Sequence, residues 1–397
     1  MSRAIHVVVV GLSTAGAAVA RTIASLATSG VPSVRVTAID RNPFYYHVLG
    51  TPRGLVDAAY ASQQFFRLDN LLTEFEPEPA RPQHRVVQAS LVRVRANRQI
   101  ELSTGESLAF DYLVLATGAD NVFPANINAP TIDAGRELLA SVRDEVSRAQ
   151  RILIIGGGPV GVEVAGEVAA KYPNKSVTLV HSGSHLLPPG FKKGLSEGAV
   201  DKLRRLGVEV VFGERVTVPA GASGTLTLRG TSGREYESDF QLMATGFVRR
   251  TEYLEPLEAE LGTSLRDERG GILIRPTFQL DTDRLPTVFA LGDACALPRG
   301  SQYAYIVSEQ AKVAAANVAT MIRAGGQVPS GTLQMWSGQT ANAILVPIGP
   351  QLGVMQAMGI VLGKSALGNV AVRNLKSKDY FLGKTSALFA AGANTQD

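Results

Sequence analysis

Apolar and polar positions in this chain change period repeatedly, and the changes mark its elements. Ile5–Val10, Tyr112–Ala116, Arg151–Ile155 and Phe240–Ala244 are short, mostly apolar runs, each followed by glycine or by Thr-Gly. They read as strands, as do Val34–Asp40 and the run from Thr287 to Ala290 ahead of Gly292-Asp293. Ala15–Thr28, Pro159–Lys171 and Ala304–Arg323 instead place small and apolar residues at helical spacing. Strand, helix and strand therefore follow one another over 5–40 and again over 151–180, as βαβ units. Between them a strand-rich stretch, Arg85–Leu108, has turn signals at Asn97 and Gly105. The tail from about Gly331 turns to Met, Leu, Val and Gly, and predicts a small strand-rich unit with a short helix.

The chain thus repeats one plan: a Gly-rich turn, a second strand, then Ala-Thr-Gly. The first turn reads Gly11-Leu12-Ser13-Thr14-Ala15-Gly16, and the second Gly156-Gly157-Gly158-Pro159-Val160-Gly161. Each lies where a strand passes into a helix, with backbone bare enough for a pyrophosphate to reach the helix N-terminus. One such turn is common; a pair in this context implies two dinucleotides bound face to face. The expected fold class is α/β, with two Rossmann-like dinucleotide-binding domains and a small C-terminal α+β domain. The expected boundaries are 1–120 with 247–330 for the first domain, 121–246 for the second and 331–397 for the third. The first is discontinuous because Gly292-Asp293 belongs with the first nucleotide.

Composition narrows the chemistry. With 397 residues, 45% hydrophobic and 19% charged, the chain suits a globular protein of two or three domains. Its formal charge of +4 is spread out, not gathered in a basic stripe, so nucleic-acid binding is not expected. A single cysteine, Cys295, excludes a disulfide framework, a cysteine-built metal site and an internal redox dithiol. It reads as a small buried residue beside the Gly-Asp turn rather than a reactive thiol. No apolar run reaches the 18 or so residues of a spanning helix. The first strand begins within a few residues of Met1, and Ser2 is not the glycine that myristoylation needs, so a cytoplasmic location is expected.

The acids now acquire roles. Asp40 ends the second strand 24 residues after Gly16, near the spacing at which a carboxylate holds ribose hydroxyls. Asp293 lies where a carboxylate accepts hydrogen bonds from a ribityl chain, or simply caps a helix. With both turns it reads as part of a flavoprotein that takes hydride from a nicotinamide. Ser13 replaces the middle glycine of the first turn; it costs room, while its hydroxyl suits a phosphate oxygen. The helix beginning at Tyr303 and Ala304 would aim its positive end at the flavin N1–O2 edge. Arg41, Arg53, Val87, Ala116, Thr117 and Gly118 complete the set expected around the first nucleotide. Around the second, Gly156, Gly158, Pro159, Val160 and Gly161 are joined by His181, Ser182, Thr245 and Gly246. His181 stands 20 residues after Gly161, where an NAD-selective site places Glu or Asp. It does not repel a 2′-phosphate, so NADH and NADPH are both admitted; a solvated loop histidine is the other reading. Glu163, on the first turn of the helix after Gly161, would be carried toward flavin N5, whereas Glu167 equally suits a solvated face.

The layout resembles the two-dinucleotide flavoproteins of the pyridine nucleotide–disulfide oxidoreductase superfamily, glutathione-reductase-like in arrangement. Within it the chain is most similar to the ferroptosis-suppressor, or mitochondrion-associated apoptosis-inducing-factor-like, branch. The matching segments are Asp40–Arg53 (DRNPFYYHVLGTPR), Leu113–Gly118, Ile154–Gly166, Val177–Ser182 (VTLVHS), Val288–Asp293 and Lys376–Phe381 (KSKDYF). They span nearly the whole chain. The resemblance implies bound FAD, NADH or NADPH as donor and a quinone-type acceptor. It matches Glu163 and Lys376 to an acid–lysine pair near flavin N5, and Phe381 to an aromatic on the acceptor side; alone, Lys376 is one more charge in a basic tail. Three departures stand out: Ser13, the absent myristoylation signal, and Tyr45, Tyr46 and His47 in the segment beside the flavin. The second leaves peripheral membrane contact through the C-terminal domain open, and the third leaves the acceptor open. Other functions of the same layout are a type II NADH dehydrogenase or a flavin-dependent reductase of a specialised metabolite. The apoptosis-inducing-factor relatives add a redox-regulated DNA-binding or signalling protein, against which the lack of a basic cluster counts.

Overall fold

The central strand of the first sheet, β1 (Ile5–Val10), buries Val7, Val8 and Val9 completely, which requires cover on both faces. Its neighbours arrive in chain order as β2 (Val34–Asp40), β3 (Arg85–Gln88) and β4 (Tyr112–Leu115). They pair in parallel in the order β4-β1-β2-β3. One face carries α1 (Thr14–Ala24); the other carries a three-stranded antiparallel sheet over 91–109 with Tyr253, Leu254 and Leu257. The computed structural model describes residues 3–28, 33–75, 84–122, 124–326, 328–329, 331–362 and 386–389.

The chain leaves this sheet along Ala119–Asn121 and returns along Phe247–Arg249, and these two short strands pair antiparallel. Between them lie α2 (Ile132–Arg148), β5 (Arg151–Ile155), α3 (Pro159–Lys171), β6 (Ser176–His181), α4 (Lys193–Arg205), β7 (Glu209–Phe212) and β8 (Phe240–Met243). The strands form a second parallel sheet in the order β7-β6-β5-β8. Pro159 opens α3, where its missing N–H is no loss.

Downstream, β9 (Val288–Ala290) joins the first sheet beside β4, and α5 (Ala304–Arg323) packs on α1. Buried alanines on both helices, among them Ala17, Ala20, Ala314 and Ala315, let the two approach closely. An antiparallel meander of β10 (Ile344–Ile348), β11 (Leu352–Ala357) and β12 (Ile360–Val361) then lies on α3 and α4. Gly166 permits this contact, since a Cβ there would stand 2.7 Å from Ile348 Cα. Phe389, in the last described turn, returns to the first unit and stacks on Tyr45 with ring centroids 4.7 Å apart. Among the described residues no helix is long and apolar enough to cross a membrane.

Candidate active site

Both Gly-rich turns obey one steric rule. Gly11 has φ +91°, donates its N–H to the Ile39 carbonyl, and would place a Cβ 2.3 Å from the Ala116 carbonyl oxygen. Gly156 repeats this with φ +117°, the Val180 carbonyl and 2.3 Å to the Ala244 carbonyl oxygen. Gly16 and Gly161 close the turns, where a Cβ would lie 1.8 and 1.9 Å from the carbonyls of Gly11 and Gly156. No side chain fits at these four positions, so each helix starts tight against its strand and offers its first N–H groups to a ligand. The middle position differs. Ser13 and Gly158 cap their helices with near-identical extended backbones, φ/ψ −68/−177° and −71/−179°, which any residue adopts. Ser13 therefore costs no strain, and its hydroxyl makes no capping bond within the helix.

The first turn opens on a cleft of about 580 Å³ whose walls include Gly11, Ser13, Asp40, Arg41, Thr117, Gly118 and Asp293. Asp40 accepts the N–H of Leu12 at 2.7 Å and that of Asn42 at 2.9 Å, and burial holds its pKa above the ordinary value. Asp293 is the outlier. Its Oδ1 is buried with no hydrogen-bond partner among the described residues, and burial pushes its pKa up to about 6 against the opposing pull of Arg249. Arg249 spends Nε on the backbone carbonyl of Asp293, at 2.8 Å. An unsatisfied buried carboxylate oxygen is costly unless a ligand brings the donor. A flavin's ribityl chain carries hydroxyls of that kind. The α1 N-terminus suits the pyrophosphate and Asp40 a ribose, so the residues present fit FAD.

The second turn opens on a cavity of about 420 Å³ lined by Gly156–Gly158, His181, Ser182, Thr245 and residues 214–218. His181 takes the place of Asp40: its Nδ1 accepts the N–H of Gly157 at 3.2 Å. An accepting Nδ1 leaves the proton on Nε2 and the ring neutral, and burial lowers its pKa in the same sense. Glycines flank the ring closely, since a Cβ at Gly157 would lie 2.7 Å from His181 Cγ and one at Gly183 2.8 Å from Nε2. His181 is thus a tie for the turn, not a solvated loop residue.

Other expected residues are placed as follows. Thr14 hydrogen-bonds Tyr45 at 3.3 Å, while Ala15 is buried in α1. Ala116, Thr117 and Gly118 line the first cleft, and Thr117 Oγ1 lies 2.8 Å from the Tyr253 hydroxyl. Val87 lies on β3, away from the cleft wall, which runs instead through Ala89 to Val92. Arg53 turns from the cleft to Glu167, at 3.2 Å, and Glu167 is only 3% exposed. A solvated face, one of the readings open for Glu167, is covered there by the first unit. Glu163 is one turn earlier on the same helix. Tyr303 caps α5 and meets Phe191 edge-on, and α5, beginning at Ala304, has no acid in its first turn. Val160 is exposed at the start of α3, and Gly246 has φ +112°. Lys376 and Phe381 lie outside the described residues. One feature had no local signal: Asp120 at the cleft is gripped by Arg41 at 2.6 Å and Arg250 at 2.9 Å, partners 79 and 130 residues away.

Known proteins share this arrangement. Residues 5–321 match the family model described as pyridine nucleotide-disulphide oxidoreductase. Human ferroptosis suppressor protein 1 is 28% identical over 391 residues, covering 96% of this chain and 95% of the relative. Fe-regulated protein 8 of Mycosarcoma maydis is 28% identical over 371 residues, covering 89% and 88%. Among solved structures, the sulfide:quinone oxidoreductase of Aquifex aeolicus superposes with TM-score 0.69 at 15% identity, over 98% of this chain and 93% of that one. The water-forming NADH oxidase of Lactobacillus brevis, bound to NADH, gives 0.65 at 17%, over 89% and 76%. At such identities the structures speak for the fold.

Proposed function

Since the chain belongs to the pyridine nucleotide-disulphide oxidoreductase family, we propose that this FAD- and NAD(P)H-dependent oxidoreductase delivers its electrons to a quinone-type acceptor. The observation that carries this is the pairing of two nucleotide cradles with one buried carboxylate oxygen in the first, Asp293 Oδ1, that has no partner among the described residues. FAD, when bound, supplies the hydride acceptor for NAD(P)H and the electron donor for the second substrate. The chain's own work is holding and tuning. The α1 N-terminus and Ser13 bind the pyrophosphate, Asp40 a ribose and Asp293 the ribityl chain. The α5 N-terminus, which has no acid in its first turn, would add its positive end to the flavin site. Glu163 with Lys376, and Phe381 on the acceptor side, complete the proposal.

Cys295 is wholly buried and is the chain's one cysteine, so no dithiol relays electrons and the acceptor must meet the cofactor directly. A flat, apolar quinone suits that contact, and the similarity to ferroptosis suppressor protein 1 supports it. Contact with a lipid surface is proposed at the β11–β12 hairpin, where Met358 is 87% and Ile360 61% exposed. A cytoplasmic location with peripheral attachment accords with this.

Steady-state turnover of the flavin-loaded protein against a panel of quinones, with NADH and NADPH, tests the proposal. Quinone-dependent nucleotide oxidation well above the rate with oxygen alone is expected. Bleaching of the flavin by nucleotide without reoxidation by any quinone would overturn the acceptor assignment.

A further inference from the structure

We propose that Arg215 reads the 2′-phosphate of NADPH, making this chain select the phosphorylated nicotinamide nucleotide; this rests on the second turn being the NAD(P)H site. Arg215 follows β7 in a segment that runs beside the end of β6: Gly213 N–H donates to the Gly183 carbonyl and Glu214 N–H to the His181 carbonyl, both at 3.1 Å. It lines the same 420 Å³ cavity as Gly158, His181 and Ser182. Arg215 is the one Lys or Arg among the described residues that line this cavity.

The backbone there is pinned from the other side as well. Arg215 N–H donates to Thr231 Oγ1 at 3.2 Å, its carbonyl accepts the Thr231 N–H at 3.1 Å, and Val216 bridges to Gly230. The guanidinium itself is exposed and has no hydrogen bond or ion pair among the described residues. A positioned but unspent guanidinium is the group best suited to a phosphate dianion.

The competing reading is that Glu214, the carboxylate in the same wall, binds the ribose 2′-hydroxyl and so selects NADH. Its oxygens are already filled. Oε1 accepts from Thr231 Oγ1 at 2.8 Å and from Ser232 N–H at 3.0 Å; Oε2 accepts from the Ser232 hydroxyl and from Tyr236 at 3.4 Å. These bonds lower its pKa to about 2, so it stays charged but spent, and it serves to anchor the loop that presents Arg215. His181 holds Gly157 with Nδ1 and is neutral. That leaves Arg215, with the neighbouring Ser182 hydroxyl, to meet the phosphate.

The flavin-loaded protein and its Arg215→Ala and Arg215→Lys variants would be compared in kcat/KM for NADPH and NADH. Calorimetric titration with 2′,5′-ADP and with 5′-ADP gives a readout that needs no turnover. NADPH preference in the parent is expected. Arg215→Ala should lower kcat/KM for NADPH about 10- to 100-fold and NADH about threefold or less, with Lys intermediate. The 2′,5′-ADP affinity should fall in parallel while 5′-ADP changes little. Equal losses for both nucleotides, or 2′,5′-ADP binding unchanged in Arg215→Ala, would overturn the assignment. Failure of both NADH and NADPH to bleach the flavin would instead overturn the donor reading, and 2′,5′-ADP would still report on Arg215.

Discussion

The two Gly-rich turns are nearly superimposable in their backbone logic and differ in one partner. In the first, the residue ending the second strand is Asp40, which accepts the Leu12 N–H; in the second it is His181, which accepts the Gly157 N–H. A carboxylate that holds the turn keeps acceptor capacity for ribose hydroxyls. A neutral imidazole has only one acceptor, and the turn uses it. The first cradle therefore completes its nucleotide contacts on its own second strand. The second must borrow from elsewhere, and Arg215 is the residue standing there.

The largest effect should come from the glycines that cannot carry a Cβ. Gly11→Ala drives a methyl into the Ala116 carbonyl, at a cost on the order of 3–5 kcal/mol. Flavin absorbance per mole of purified protein should collapse, whereas Ser13→Gly should hold it and shift stability by about 1 kcal/mol at most. Full flavin content in Gly11→Ala would show that the turn is not under this steric control.

Asp293 comes next. Its carboxyl titrates near 6 rather than 3.8 in the fold, so the native state holds that proton more tightly than the unfolded chain. Stability present below pH 3.8 is therefore lost as pH rises through about 6, by about 2–3 kcal/mol in the flavin-free protein. Asp293→Asn should flatten that part of the thermal-unfolding profile and weaken FAD binding about tenfold or more. A profile with the same slope in the variant would assign the pH dependence to another group.

Making the two turns alike should give a smaller change. His181→Asp restores a carboxylate that accepts both the Gly157 N–H and a ribose hydroxyl. Relative kcat/KM should move toward NADH by about tenfold, or ~1.4 kcal/mol. An unaltered NADPH/NADH ratio would separate His181 from the ribose altogether. The smallest effect is expected for Cys295→Ser. Burial raises that thiol's pKa far above the usual range, so it does not ionise. Quinone turnover within about threefold is expected, with a lower melting temperature from burying a hydroxyl. A loss of turnover in a folded variant would give the thiol a role in electron transfer.

What the sequence made legible follows from range. α3 and α5 have the bounds their periodicity predicts, because caps and small-residue spacing act within one turn of helix. α2 went unanticipated, although Thr131 caps it and Leu139, Val142 and Val146 recur at helical spacing; its many charges mask that stripe. The three-residue strands Phe44–Tyr46 and Phe65–Arg67 are too short to show a period. Glu167 left a solvated face open as a reading because its cover, Arg53, is 114 residues away. The Arg41–Asp120–Arg250 clamp is hidden for the same reason. Glycines that a backbone forbids from being anything else are readable locally; charges paired across the junction of two units are not.

The short ribbon of Ala119–Asn121 and Phe247–Arg249 has an architectural consequence. Asn121 pairs with Phe247, so the chain enters and leaves the whole second nucleotide unit through one doorway about 5 Å wide. Everything between those residues is a cassette whose two ends meet. It can be lengthened, shortened or exchanged for another without redrawing the first sheet, whose last strand simply resumes on the far side of the door. Such a plan allows the donor side to be remodelled within the cassette while the flavin site stays as it is.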